Sequence, residues 1–230
     1  MRNAPDAVMI FAAGLGTRMK ELTKDRPKPL VAVAGRPLID HALDLVEVAG
    51  ISTSVANVHY KPERLIPHLQ ARGVEISNER EALLETGGGL KHALPLLPDG
   101  PVFTINSDAI FKGPNPFDIL RAAWRPTQMD ALLLLVPSGN ARGTTSTGDF
   151  LMDRAGALSR GPGMIYVGVQ IINPAVLSDV DETAFSLNLV WNRLHERGRL
   201  YGARYDGVWC DVGQPEGIGL AEDLLSAPDV

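Results

Sequence analysis

Apolar and polar positions along the chain alternate between two rhythms. Apolar runs of strand length at 7–13, 102–106 and 131–136, and more polar ones at 52–58 and 74–78, predict strands. Between them, 37–49, 62–71, 88–94 and 116–124 predict helices. In the first of these, Ile39, Ala42, Leu43, Val46 and Ala49 share one face and Gly50 supplies a stop. The second half is less regular. A stretch rich in Gly, Ser, Thr and Arg at 139–163 precedes a β-like run at 165–172, a helix near 187–197, a strand near 200–205 and a final helix at 215–225. Strands alternating with helices predict a mixed α/β fold with a mostly parallel sheet and right-handed crossovers. Functional loops are then expected beyond the carboxyl ends of the strands.

Composition narrows this picture. The 230 residues, 45% hydrophobic and 21% charged, suffice for one large α/β domain or two small ones and exclude disordered and collagen-like chains. With no internal repeat or linker, one domain is expected over 1–230. A net charge of −5 gives no overall field for a polyanion, so nucleic acid is not an expected partner. Cys210 is the only cysteine, which excludes an internal disulfide framework and a Cys-based zinc cluster and fits a reducing compartment. The apolar run at 7–13 is too short to span a bilayer and lacks the long apolar region of a signal peptide. The expectation is a soluble cytoplasmic protein with no membrane partner.

The charge is unevenly spread. Between Arg18 and Arg36 stand six basic residues and two acidic ones, a local net of +4. Just before them, directly after the first strand, comes Ala13-Gly14-Leu15-Gly16-Thr17-Arg18. Its glycines let backbone N–H groups approach phosphate oxygens, and its guanidinium can pair with them. Met19 replaces the third glycine of a dinucleotide fingerprint, and no Gly-Lys-Ser/Thr follows to make a P-loop. Alone, such a loop reads equally as a tight turn. Pro27-Lys28-Pro29 then limits the freedom of a lysine on both sides. Further on, Leu84-Glu85-Thr86-Gly87-Gly88-Gly89 opens a short helix, where three glycines can expose unpaired N–H groups to a ligand or merely form a flexible loop. Asp108 and Asp211 each follow or end an apolar run. Two carboxylates at strand ends suit one divalent cation, and each also suits a turn or helix cap. His41, His59, His68, His92 and His195 show no close metal spacing.

In this order, these elements resemble the sugar-1-phosphate nucleotidyltransferase family across nearly the whole chain. Leu84-Glu85-Thr86-Gly87-Gly88-Gly89 followed by Ala93-Leu94-Pro95, together with Gly148-Asp149-Phe150, is most similar to the N-acetylmuramate-1-phosphate uridylyltransferases of peptidoglycan recycling. The resemblance implies a three-layer α/β/α sandwich of the Rossmann-like nucleotidyltransferase type. Residues 1–115 would bind nucleotide and 116–230 the sugar phosphate. It implies Mg²⁺ as cofactor, and an NTP and a sugar 1-phosphate as substrates.

Carried over by motif, Arg18 and Lys28 hold the triphosphate and stabilise charge at its α-phosphate. Ala13, Gly14, Leu15, Gly16, Thr17, Glu85, Gly87 and Gly88 contact the nucleotide, Gly168 and Asp149 the sugar, and Asp108 and Asp211 the metal. No protein nucleophile is required, so Cys210 is expected to pack as a small apolar residue. Two departures stand out. Ser107 replaces a glycine common before the aspartate in relatives. No lysine follows Lys112, so the lysine that grips the acceptor phosphate in thymidylyltransferases is missing, and Arg142, Arg154 and Arg160 are the available substitutes. A guanylyl- or cytidylyltransferase and a nucleotide-sensing relative without turnover are the alternatives.

Overall fold

A computed structural model describes residues 4–228. Seven strands form the central sheet: β1 (Ala7–Phe11), β2 (Thr53–Val58), β3 (Glu75–Asn78), β4 (Val102–Asn106), β5 (Ala131–Val136), β6 (Ile165–Ile172) and β7 (Leu200–Arg204). Their order is β7-β5-β6-β4-β1-β2-β3. Neighbours run parallel except β6, which lies antiparallel between β4 and β5. The expected mostly parallel sheet is present. The direction of β6 was not readable, since apolar periodicity carries no strand polarity.

Successive residues of β1 point to opposite faces, and each face has its own core. Val8 and Ile10 join Ile39, Leu43, Leu65, Leu69, Phe103 and Phe117. These bring in helices α1 (Leu38–Val48), α2 (Pro62–Ala71) and α4 (Pro116–Ala123). Ala7 and Met9 join Leu90, Leu133, Leu187, Val190, Trp191 and Leu194 on the other face. There α3 (Glu85–Ala93) and α5 (Leu187–Glu196) pack. The result is the three-layer α/β/α sandwich. Gly50 ends α1 at φ +64, as its position predicts. α3 begins three residues before the expected start, so all three glycines lie inside it.

What the apolar pattern did not predict is a small sheet at one end of the sandwich. Ala109–Lys112 pairs antiparallel with Val208–Asp211, which pairs parallel with Ala141–Arg142. Behind it Val33, Leu38, Ile110, Cys210, Val212 and Ala221 form a third apolar cluster under α6 (Glu216–Ser226). Cys210 is fully buried there, and burial first, then the Asp211 charge, pushes its thiol up to about 11. It packs as an apolar residue. The stretch expected to be irregular at 139–163 also folds partly as a hairpin, Phe150–Met152 against Leu158–Arg160.

Candidate active site

The reversal of strand order between β1 and β4 creates a crevice at their carboxyl ends, and the loop after β1 crosses it. Ala12 N–H donates to Asn57 Oδ1 at 2.8 Å, which fixes where the loop leaves the strand. Gly16 then turns the chain at φ +65 into a 3₁₀ segment, Thr17–Thr23. A Cβ on Gly16 would stand 3.0 Å from both Lys28 Cβ and Thr23 Cγ2, so this glycine lets the loop lie against Lys28. A Cβ on Gly14 would meet nothing within 4 Å. Gly14 is therefore not required by packing.

Lys28 follows Pro27, whose extended backbone (φ −70, ψ 152) starts a single 3₁₀ turn, Lys28–Leu30. Its Nζ lies 2.6 Å from Asp108 Oδ2. Asp108 sits in the turn after β4, held by Ser107, whose N–H and hydroxyl both donate to the Phe11 carbonyl at 3.2 and 2.8 Å. Ser107 thus ties β4 to β1 with two bonds where glycine would make one.

Asp211 ends its strand opposite Ala109, and Val212 N–H donates to the Asp108 carbonyl at 2.9 Å. The small sheet thereby brings together two carboxylates from distant parts of the chain. Burial first, then the charge of Asp108, pushes the Asp211 carboxyl up to about 6, with Lys28 and Arg18 acting in the opposite direction. Arg18 makes no hydrogen bond or ion pair among the described residues. Its Nη1 and Nη2 each lie 3.2 Å from where a Cβ on Gly213 would stand, and Asp211 Oδ2 lies 2.8 Å from the same point. Arg18, Lys28, Asp108 and Asp211 therefore form one cluster. Its two carboxylates offer hard oxygen donors, and the charge of Asp108 adds to the cost of ionising Asp211, a setting that suits Mg²⁺. Among the described residues no group of three or more His, Cys, Asp and Glu side chains converges, so phosphate oxygens and water would complete such a coordination shell.

The Glu85–Gly89 segment behaves differently from the sequence expectation. The N–H groups of Gly87 and Gly88 are not unpaired: both donate to the Phe185 carbonyl, at 2.8 and 3.0 Å. A Cβ on Gly87 would strike the Phe185 ring at 2.3 Å, and one on Gly88 the Thr183 carbonyl at 2.3 Å. Thr86 Oγ1 accepts from Leu187 N–H at 3.0 Å. The motif thus docks the start of α5 on α3. Glu85 stands at φ 60, an uncommon conformation for a residue with a side chain.

Gly89 makes room for a buried polar chain that the apolar pattern did not reveal. Asn57 Nδ2 donates to Glu79 Oε1 at 2.7 Å, and Glu79 Oε2 accepts from Leu84 N–H at 3.3 Å. Both side chains are 3% exposed. Through Ala12, Asn57, Glu79 and Leu84, the loop after β1 is connected rigidly to the Glu85–Gly88 segment. The only signal in the sequence was a polar residue, Asn57, between the apolar Ala56 and Val58.

On the other side of the crevice, Gly168 occupies a bulge in β6 at φ +82. A Cβ there would meet Asn106 Nδ2 at 2.6 Å, so Gly168 admits the Asn106 side chain at the end of β4. Asp149 Oδ2 accepts from Tyr166 N–H at 2.8 Å, fastening the 150–160 hairpin to β6. Of the three arginines, Arg142 lies beside Cys210 in the small sheet, next to the Asp211 strand. Arg154 is exposed in the hairpin turn. Arg160 is bound to α5 through Asn188 and Asn192.

The family model described as "MobA-like NTP transferase domain" matches residues 8–180. The chain belongs to the MobA-like NTP transferase family. It is 42% identical to N-acetylmuramate alpha-1-phosphate uridylyltransferase of Caulobacter vibrioides, over 98% of this chain and 99% of that one. The protein of the same name from Neisseria meningitidis serogroup B is 33% identical over 95% and 98%. A mannose-1-phosphate guanyltransferase of Yarrowia lipolytica is 31% identical over 90% of this chain and 61% of that one. Among solved structures, a putative glucose-1-phosphate thymidylyltransferase from Bacillus anthracis superposes with a TM-score of 0.80 at 17% identity, covering 97% of this chain and 96% of that one. HddC from Yersinia pseudotuberculosis superposes with 0.77 at 22%, covering 96% and 99%. These structural likenesses establish the fold. The chain is a nucleotidyltransferase, and no helix among its described residues is long and apolar enough to cross a membrane.

Proposed function

We propose that this member of the MobA-like NTP transferase family transfers a uridylyl group from UTP to N-acetylmuramate 1-phosphate, releasing pyrophosphate, in the cytoplasmic recycling of peptidoglycan sugars. The observation that carries the chemistry is the cluster of Arg18, Lys28, Asp108 and Asp211 beside the Gly14–Gly16 loop. The full-length likeness to the Caulobacter enzyme supports the choice of substrates.

The reaction is an in-line displacement. An acceptor phosphate oxygen attacks the α-phosphorus, and the bond to the β,γ-pyrophosphate breaks. The protein's task is to gather and orient anions, so positioning and charge stabilisation dominate. Arg18, with all its donors available, receives the triphosphate. Lys28 has three donors, of which Asp108 takes one, leaving two for phosphate oxygens. Ala13 to Thr17 line the triphosphate with backbone. Asp108 and Asp211 would hold Mg²⁺, which would supply neutralisation of phosphate charge. Residues 1–115 act as the nucleotide-binding half. In the half formed by 116–230, Gly168 and Asp149 shape the sugar side.

Base contacts come from Glu85 and from the edge of the segment it shares with Gly87 and Gly88, whose own N–H groups serve Phe185. The test is pyrophosphate release measured across the four NTPs and a panel of sugar 1-phosphates. UTP with N-acetylmuramate 1-phosphate should give the highest kcat/KM. Preference for GTP with mannose 1-phosphate would replace this reading with a guanylyltransferase, and tight NTP binding without turnover on any acceptor would replace it with a sensor.

A further inference from the structure

Among the described residues Arg160 is held in a fixed pose by neutral side chains and has no counterion. It ends the strand Leu158–Arg160, and its guanidinium lies 4.4 Å from the Phe150 ring centroid and 5.7 Å from that of Trp191. Phe150, Trp191 and Tyr166 form a wall of edge-to-face rings, with centroids 6.1 and 4.9 Å apart. Arg160 Nη2 donates to Asn188 Oδ1 at 2.7 Å and to Asn192 Oδ1 at 3.0 Å, and Nε donates to Asn192 Oδ1 at 3.2 Å.

Every acceptor is a neutral amide. Among the described residues Arg160 makes no ion pair, and Nη1 has no acceptor. Asp149 is near enough to favour the charge, yet its own oxygens serve Tyr166 N–H at 2.8 Å and the Ser146 hydroxyl at 3.4 Å. Partial withdrawal from water opposes the charge on Arg160 and lowers its pKa. Arg160 is exposed, so its guanidinium is only partly withdrawn from water, and an arriving carboxylate can reach it and supply the missing anion. The staple between hairpin and α5 uses only Nε and Nη2, which leaves the two N–H donors of Nη1 open to a ligand.

Its location fits the acceptor. Tyr166 and Gly168 lie on one strand, Gly168 contacts Asn106, and Asp108 follows two residues later. Asn188 stands in the first turn of α5, whose Leu187 N–H is held by Thr86. Arg160 therefore stands on the hairpin that Asp149 fastens to the strand of Gly168, beside the start of α5 that docks on Thr86.

We propose that Arg160 recognises a carboxylate carried by the sugar itself, distinct from its 1-phosphate, and so sets acceptor specificity for a sugar acid. This rests on the reading that the acceptor is a sugar 1-phosphate. N-acetylmuramate differs from N-acetylglucosamine by a lactyl ether that ends in a carboxylate. A charge-assisted hydrogen bond of this kind is worth on the order of 10- to 100-fold in affinity.

The experiment compares kcat/KM for N-acetylmuramate 1-phosphate and N-acetylglucosamine 1-phosphate in wild type, Arg160→Met and Arg160→Lys. Wild type should prefer the acid. Arg160→Met, which keeps an apolar stem on Phe150, should cut that preference by about 10- to 100-fold, through the acceptor KM and not the KM for UTP. Arg160→Lys, which returns a charge without the planar fork, should recover part of it. A neutral methyl ester of the acid substrate needs no variant: wild type should lose the same factor with it. An equal loss for both acceptors, or a preference unchanged in both variants, assigns Arg160 to a structural role and overturns the inference while leaving the uridylyltransferase reading intact. Absence of wild-type turnover on the acid would overturn both.

Discussion

Asp211 carries an energetic cost in the folded chain. Its carboxyl is pushed from an ordinary 3.8 up to about 6, first by burial and then by Asp108. The folded state therefore holds the proton more tightly than the unfolded one. The resulting penalty is absent below about pH 4, grows as pH rises from there to about 6, and is fully present above. In metal-free buffer, Asp211→Asn should raise the thermal midpoint at neutral pH and leave it unchanged near pH 4, with a gain of at most about 3 kcal/mol. Turnover of the same variant should fall by about 10³-fold or more, as should that of Asp108→Asn. Added Mg²⁺ should stabilise wild type and not Asp211→Asn. Equal stability of wild type and variant across this pH range would show that Asp211 is not under charge stress. Gly14 offers a separate test, because a methyl group there meets nothing within 4 Å. Gly14→Ala should unfold like wild type and yet raise the KM for nucleotide by about tenfold or more, since only an approaching phosphate needs the space. An unchanged KM would reduce the loop to a tight turn. Arg18, Lys28 and both aspartates were legible in the sequence because each stands at a strand end or in a Gly- or Pro-constrained loop. Their mutual distances were not.

At the scale of elements, β1 and β4 were legible because they are buried on both faces and read as nearly continuous apolar runs, whereas β2 and the edge strand β3 are more polar and were marked by their place between helices. The small sheet was hidden for the opposite reason. Its strands, Ala109–Lys112, Val208–Asp211 and Ala141–Arg142, are two to four residues long, and their pairing joins positions as far apart as Ala109 and Asp211. That sheet nevertheless unites Asp108 with Asp211. The Glu85–Gly89 segment misled in a specific way. Glycines at a helix start signal close approach of something, and only the fold reveals that Phe185 and Thr183 make that approach at Gly87 and Gly88, and Glu79 and Asn57 at Gly89. The buried Asn57–Glu79 link predicts a kinetic effect. Asn57→Ala should raise the KM for UTP by about tenfold and leave the KM for the sugar phosphate nearly unmoved, because it frees Ala12 N–H and leaves Glu79 short of a donor. A lowered melting temperature with both KM values intact would mark the link as structural only.

For the molecule as a whole, the net charge of −5 describes the surface and not the chemistry. Basic groups concentrate where the loops after β1 cross the crevice, and two of the acidic residues that outnumber them stand opposite as candidate metal ligands. The order β7-β5-β6-β4-β1-β2-β3 places this cluster between the strands that carry the phosphate-directed loop and those that carry Gly168, the hairpin and Arg160. Nucleotide and acceptor can therefore be held on opposite sides of the same carboxylates, which is what direct transfer between them requires. A ³¹P spectrum of a reaction containing the protein, Mg²⁺, UTP and N-acetylmuramate 1-phosphate tests this most directly. The predicted result is loss of the triphosphate and sugar-phosphate signals, with the paired diphosphate signals of a nucleotide-sugar and free pyrophosphate appearing in equal amounts. Persistence of all the starting signals, or release of inorganic phosphate with the sugar 1-phosphate unconsumed, would contradict it.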